Sequence, residues 1–293
     1  MLAVKMTSVE ETALELVGAM GREALSLARR KPDRVTSKSD TFDLVTSVDR
    51  EIESCLRGRI RERFPEHAIL GEEQGLDAGS SEWTWVLDPI DGTLNFATGL
   101  QIAACSIALL RGDRTRVAAL GELATDTVFA ARAGGGIQSD RPGHTVVPGE
   151  LGRVRLFLDF SPETPSQELL EALQAFAALT PVAPRMIGSA AAALLAVAIG
   201  GGCFAGVGLR IWDVAAGILL VEESGRVVRR WSDDREHVVH VLAGDDGSVE
   251  TFEPAMVNLI DLWRALESPG LRDRKSTRLN SSHIQKSRMP SSA

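Results

Sequence analysis

WVLDPIDGTLNF, residues 85–96, packs two carboxylates, a proline, a glycine and a hydroxyl into the end of an apolar run. Trp85, Val86 and Leu87 read as a short buried strand, and Pro89 and Gly92 punctuate the chain directly afterwards. Asp88 is therefore expected where a strand ends, with Asp91 in the turn beyond it and Gly92-Thr93 opening the next segment. Two carboxylates supply hard oxygen ligands, and backbone N–H groups at the start of a segment can meet an anion. This chemistry suits a metal ion together with a phosphate.

Working outward, residues 68–75 read AILGEEQG, a short apolar strand ending in Gly71-Glu72-Glu73. Downstream, residues 208–225 read GLRIWDVAAGILLVEESG and repeat the order apolar strand, acid, helix. Asp213 falls there in the first turn of a helix bearing Val214, Ile218, Leu219 and Val221. Three strand-to-turn junctions thus end in acids: Glu72, Asp88 with Asp91, and Asp213. Carboxylates at corresponding ends of neighbouring strands oppose one another unless cations neutralise them. A ligand set of oxygens without His or Cys selects hard cations, Mg²⁺ or Mn²⁺ over Zn²⁺. An extended chain would hold Asp88 and Asp91 about 10 Å apart. The Pro89 turn must fold that distance back if both are to serve metals about 3.5–4 Å apart. Upstream, residues 44–46 form a short strand and Ser47 a cap for a helix bearing Ile52, Leu56 and Ile60. Asp49 sits in its first turn, where by itself it need only compensate the helix dipole.

The chain has 293 residues, 44% hydrophobic and 25% charged, enough for one large domain or two moderate ones. Its net charge is -8; residues 272–293 hold six Lys/Arg and one Asp, so residues 1–271 carry 26 basic against 39 acidic side chains. That balance argues against a nucleic-acid partner. Cys55, Cys105 and Cys203 form neither a zinc pattern nor a disulfide framework, which points to a reducing interior. Glu10 and Glu11 interrupt the place where a signal peptide needs an apolar core, so the expected location is the cytoplasm. Residues 186–209 run without a charge for longer than the roughly 20 residues that span a bilayer. They hold six glycines, with Gly200-Gly201-Gly202 as a breaker, and read as a buried helix followed by a buried strand rather than a membrane span.

Residues 7–31 form a helix on Val9, Ala13, Leu16, Val17, Met20, Ala24 and Leu27. Strands are expected over 101–111, 116–123 and 127–132, and Gly134-Gly135-Gly136 reads as a turn. The Pro- and Gly-containing residues 139–152 suit an interdomain connection. A strand at 154–159, a helix at 167–179, strands at 226–231 and 237–243 and a helix at 249–266 complete an alternating α/β half. The expected division is a domain over 1–145 with the main metal site and one over 146–270 supplying Asp213 and the substrate pocket. Residues 271–293 lack apolar periodicity and read as a disordered or non-native tail.

DPIDGT at 88–93, with GEE at 71–73 and WDVAAG at 212–217, resembles the inositol monophosphatase family of Mg²⁺-dependent, lithium-sensitive phosphatases, in consistent order from Met6 to about residue 265. The resemblance implies an α+β or α/β fold, a layered α/β/α/β/α sandwich, usually dimeric. It implies hydrolysis of a phosphate monoester of a small soluble metabolite by metal-activated water. Glu72, Asp88 and the carbonyl of Ile90 would hold one cation, Asp88, Asp91 and Asp213 a second, with Glu72 contributing to a weaker third. The cofactor would be two or three Mg²⁺ per subunit, with Mn²⁺ as the substitute. Thr93 and Asp49 match the pair that activates the water, with Glu72 completing the catalytic set. Substrate would meet Ile90, Asp91, Gly92, Thr93, Gly188, Ser189, Ala190, Arg210 and Asp213, and Lys38 matches a family lysine near the metals.

Two departures bear on the substrate. In inositol-specific members of the family a glutamate that contacts substrate hydroxyls lies seven residues before the aspartate of the WD motif, and here that position is Gly206. Arg210, three before Asp213, favours a second anionic group. The stretch after Gly121 also looks short and irregular for the family's hairpin. Histidinol phosphate, fructose bisphosphate and nucleotide 3′-phosphates therefore stand beside inositol phosphate. A degenerate, non-catalytic metal- or anion-binding relative with a regulatory role is the contrasting class, and the intact set Asp49, Glu72, Asp88, Asp91, Thr93 and Asp213 weighs against it.

Overall fold

The computed structural model describes residues 8–29, 35–37, 44–141, 154–160, 166–179 and 182–266. Lys38, most of the 139–152 connection with the boundary expected inside it, and the 271–293 tail lie outside the described residues. The chain opens with α1 (Ser8–Ala28), the short strands β1 (Val35–Ser37) and β2 (Leu44–Thr46), and α2 (Ser47–Arg63). Next come β3 (Ala68–Gly71), β4 (Gly75–Asp77), β5 (Trp83–Asp91), α3 (Thr93–Ala97), β6 (Ala104–Arg111), β7 (Arg114–Glu122), β8 (Thr127–Arg132) and β9 (Ile137–Ser139). The remainder is β10 (Val154–Phe160), α4 (Ser166–Leu179), β11 (Val182–Arg185), α5 (Ala190–Gly200), β12 (Cys203–Arg210), α6 (Ile211–Glu223), β13 (Val227–Ser232), β14 (Val238–Gly244) and α7 (Asp246–Leu266).

The larger strands form two sheets, a seven-stranded one in the order β4-β3-β5-β6-β7-β8-β9 and a five-stranded one in the order β11-β10-β12-β14-β13. The apolar stripe of α1, with Ala13, Val17, Met20 and Ala24, packs with Ile52, Leu56 and Ile60 of α2 on one face of the larger sheet. Between the sheets lie α5 and α6, sharing a core with Val86, Leu120, Phe204 and Val241. The outer face of the smaller sheet is covered by α7 and Phe176 of α4. The order is helix, sheet, helix, sheet, helix, as the family resemblance implied. Because α5 and α6 are covered on both sides, they are apolar almost all round; this explains the uncharged run, and each Leu or Ile buried there contributes ~1.5–3 kcal/mol. Gly217 on α6 admits Leu194 of α5, whose Cβ would stand 2.6 Å from a side-chain carbon placed there. No described helix is long and apolar enough to cross a membrane.

Three local expectations change. Thr46, not Ser47, caps α2: its hydroxyl accepts the N–H groups of Val48 and Asp49, while Asp49 accepts the N–H of Thr46 in return, which satisfies otherwise orphaned donors at the helix start. The stretch after Gly121 is a regular hairpin, with Gly121 opposite Val128 and Glu122 opposite Thr127. The link after α4 contains a strand, β11, which pairs in parallel with β10.

Candidate active site

The site begins with a correction to the opening stretch. Asp88 does not end its strand: β5 continues to Asp91, and its pairing with β6 passes from Asp88 opposite Ser106 to Asp91 opposite Ala104. Three steps on one strand face two on the other, so β5 carries a bulge of one extra residue. In a regular strand, residues three apart point to opposite faces. The bulge restores Asp91 to the face of Asp88, while Ile90 is buried on the α1–α2 side with Leu87. Pro89, which has no N–H to donate, is tolerated because the bulge interrupts the ladder.

With that parity corrected, carboxylate oxygens of Asp88, Asp91 and Asp213 lie within 4.8 Å of one another. Asp213 arrives from the other sheet, in the first turn of α6, where its Oδ2 accepts the Arg210 N–H at 2.9 Å. Asp91 Oδ2 accepts the Ser189 hydroxyl and the Ala191 N–H, both at 2.6 Å, at the start of α5. Asp88 is buried, and its Oδ1 has no hydrogen-bond partner among the described residues. Burial, then the charges of Glu72, Asp91 and Asp213, push the Asp88 carboxyl well above its ordinary range. Asp213 is raised by burial, then by Asp91 and Glu72. Asp91 is pushed up to about 8, chiefly by burial, despite the two donors that favour its ionised form. An orphaned buried oxygen among mutually opposed carboxylates fits a bound cation, and this donor set can hold one.

The expected water-activating pair is adjacent. Asp49 is fully buried in the first turn of α2, with Oδ2 accepting the Thr46 N–H at 3.0 Å and the Thr46 hydroxyl. The Thr93 hydroxyl lies 2.9 Å from the Ile90 carbonyl and 3.4 Å from Asp49 Oδ1. Burial leads in raising the Asp49 carboxyl, with Glu72 adding to it.

Gly92 closes the strand with φ +88°, and a side-chain carbon there would stand 3.0 Å from the carbonyls of Gly188 and Ile102 and 3.1 Å from Ser189 Cβ. Gly92→Ala combines that crowding with a left-handed backbone, a strain of ~1–3 kcal/mol. A melting temperature lower by ~2–4 °C per kcal/mol is the expected result in thermal denaturation. Ser189 caps α5 by accepting the Ala192 N–H at 3.2 Å, so the Gly188-Ser189-Ala190 segment adjoins the carboxylate cluster. The Arg210 guanidinium reaches instead for the Glu236 carbonyl at 3.4 Å.

Two acids escaped the sequence reading. Asp159 is the last residue but one of β10, on the same side of the sheet as Phe157 and opposite Gly206 of β12. Its charge pushes on Asp91 and Asp213, and burial lifts its own carboxyl to about 6. An acid near the end of an apolar strand is the signal that marked Glu72 and Asp88. Glu53, buried on α2, binds the turn that carries Glu72; nothing in the local sequence distinguishes it from a solvated helical glutamate.

Carboxylates that resist joint ionisation until a cation joins them, beside a hydroxyl backed by a basic carboxylate, are the equipment of a phosphoric monoester hydrolase. The chain belongs to the inositol monophosphatase family, whose sequence profile matches residues 5–253. It is 33% identical over 228 residues to Phosphatase IMPL1, chloroplastic, of Arabidopsis thaliana; 74% of this chain is covered, and 61% of that longer protein. Nus factor SuhB of Vibrio cholerae is 33% identical over 210 residues, 69% of this chain and 78% of its own. The solved structure of Mycobacterium tuberculosis SuhB superposes with a TM-score of 0.69 at 30% identity, over 85% of this chain and 97% of that one.

Proposed function

We propose that this chain is a Mg²⁺-dependent phosphatase that hydrolyses a phosphate monoester of a small soluble metabolite. The observation that carries the reading is the position of Thr93 and Asp49 beside the Asp88, Asp91 and Asp213 cluster. Asp88, Asp91 and Asp213, with Glu72 and the Ile90 carbonyl, would hold two or three Mg²⁺, or Mn²⁺ in their place. When bound, the cations supply charge neutralisation for the phosphate and acidity for the attacking water. Thr93 accepts a hydrogen bond from that water and hands the proton on to Asp49, whose raised basicity suits it to keep it. The water oxygen forms a bond to phosphorus as the ester P–O bond breaks, and the leaving oxygen takes a proton from solvent and departs as the alcohol. The N–H groups of Gly92 and Thr93 face the phosphate, and Arg210 serves a substrate with a second anionic group once its guanidinium leaves the Glu236 carbonyl.

Inositol, histidinol, fructose and nucleotide 3′-phosphates remain the substrate candidates. The excess of acidic side chains over residues 1–271 favours a metabolite over a nucleic acid as partner. A cytoplasmic homodimer, with one domain over 1–145 and another over 146–270, completes the reading. A regulatory role is the second reading, favoured by the name of the Vibrio cholerae relative.

Phosphate release from a panel of these esters, with Mg²⁺ and with chelator, is the test. Turnover of at least one ester, lost on chelation, is expected; no release from any would leave only the regulatory reading. On the ester that is turned over, Thr93→Val should lower kcat by about 10²-fold or more, with the Mg²⁺ concentration for half-maximal rate little changed. Initial rates across a Mg²⁺ titration measure both.

A further inference from the structure

Glu53 lies one helical turn beyond Asp49 on α2 and is fully buried. Its Oε2 accepts the backbone N–H of Glu73 at 2.8 Å. Its Oε1 accepts the N–H of Gln74 at 3.0 Å and Arg57 Nε at 2.8 Å. Arg57 donates in turn to the Gly75 carbonyl at 2.6 Å and to Asp77 Oδ2 at 3.0 Å. The turn over 71–75 is thus gripped by its N–H groups from Glu53 and by a carbonyl from Arg57. Gly71 makes the room, since a side-chain carbon there would overlap the Glu53 carboxylate.

Between those grips sits Glu72. Its own N–H donates to the Leu87 carbonyl at 3.1 Å, at the point where Gly71 pairs with Leu87, one residue before Asp88. A turn between two short strands can be closed by backbone hydrogen bonds alone, whereas a carboxylate removed from water costs several kcal/mol unless donors surround it. A buried glutamate devoted to this turn points to a need to fix the residue the turn carries.

We propose that Glu53 is a positioning residue: it holds the backbone of Glu72 against α2 and β5 so that the Glu72 carboxylate faces the cation cluster. The proposal rests on the reading of Glu72 as a cation ligand. Groups that orient ligands from behind commonly set metal affinity more than turnover. Asp49 shares α2 with Glu53, so one helix fixes both the water-activating carboxylate and the turn bearing Glu72.

The test uses the full chain. In Glu53→Gln, one N–H acceptor is replaced by a donor, and amide exchange at Glu73 and Gln74 should speed up. Mg²⁺ binding measured by calorimetry should weaken by about 10-fold to 100-fold, while kcat at saturating Mg²⁺ falls by less than about threefold. Gly71→Ala, which displaces the same carboxylate from the other side, should give the same split and guards against a fold-specific failure of the first variant. The double variant Glu53→Gln/Glu72→Gln should bind Mg²⁺ no more weakly than Glu72→Gln alone. Faster exchange with unchanged Mg²⁺ binding, or an additive double variant, would overturn the proposal while leaving Glu72 as a ligand. If Glu72→Gln itself left Mg²⁺ binding unchanged, the ligand assignment would fail first and the positioning role with it.

Discussion

Asp88→Asn should abolish hydrolysis and raise the melting temperature of the metal-free protein. The two effects share one cause. Asp88 is buried with one oxygen unpartnered among the described residues, and Glu72, Asp91 and Asp213 all oppose its ionisation. Removing the charge relieves that opposition, and an amide can donate to a neighbouring carboxylate. Relief of a buried, unpaired charge is worth about 1–3 kcal/mol, read as a rise of ~2–4 °C per kcal/mol. Catalysis moves the other way, because Asp88 is the carboxylate expected to serve two cations at once. Losing their several kcal/mol of transition-state stabilisation lowers kcat by about 10³-fold or more. Thermal denaturation in chelator and phosphate release in Mg²⁺ check the two halves separately. A variant less stable than the parent without metal would mean that Asp88 has a structural partner; retained turnover would remove it from the cation site.

The second large effect is a pH dependence that the metal cancels. For an acid with a folded pKa above its unfolded value of about 3.9, the folded state binds more protons over the interval between them. Stability therefore falls as pH rises through that interval. Asp91, pushed up to about 8 chiefly by burial, carries this interval to about pH 8, and Asp88 and Asp213 shift in the same direction. Metal-free protein should be steadily less stable from about pH 4 to about pH 8. A cation replaces those protons, so its affinity rises over the same interval and its binding releases protons. At a fixed concentration near 100 times the dissociation constant, Mg²⁺ adds about 2.7 kcal/mol. The shift in melting temperature on adding Mg²⁺ should thus be small at pH 5.5 and large at pH 8. An equal shift at both pH values would place the cation elsewhere.

Much of this arrangement was legible locally. Acids at or near the ends of apolar strands pointed to Asp88 and Asp213, which the fold brings together with Asp91, and the uncharged run at 186–209 resolved into α5 and β12 as expected. Asp159, next to last in β10, carries a weaker form of the same signal. Glu53 was not legible, since its partners lie about twenty residues away on a turn whose position only the folded chain defines. The bulge in β5 was hidden for a related reason. A strand's own residues show an alternation, but the place where that alternation slips is decided by the partner strand, here β6. So Pro89 was read as a turn, although the chain runs on through it.

That slip recurs in the second sheet. The pairing of β12 with β14 passes from Gly206 opposite Val241 to Leu209 opposite Val239, again three residues against two. Gly208, with φ +73° and its N–H given to His240 Nδ1 at 3.1 Å, occupies the extra place. Each sheet thus inserts one residue just ahead of an acid of the cluster, Asp91 in one and Asp213 in the other. The cluster is therefore guarded by counting as well as by chemistry. A lineage could exchange Pro89 or Val207 for other residues and keep every carboxylate facing its neighbours. Deleting Pro89 would remove the extra residue of β5 and turn Asp91 toward the α1–α2 layer, away from Asp88.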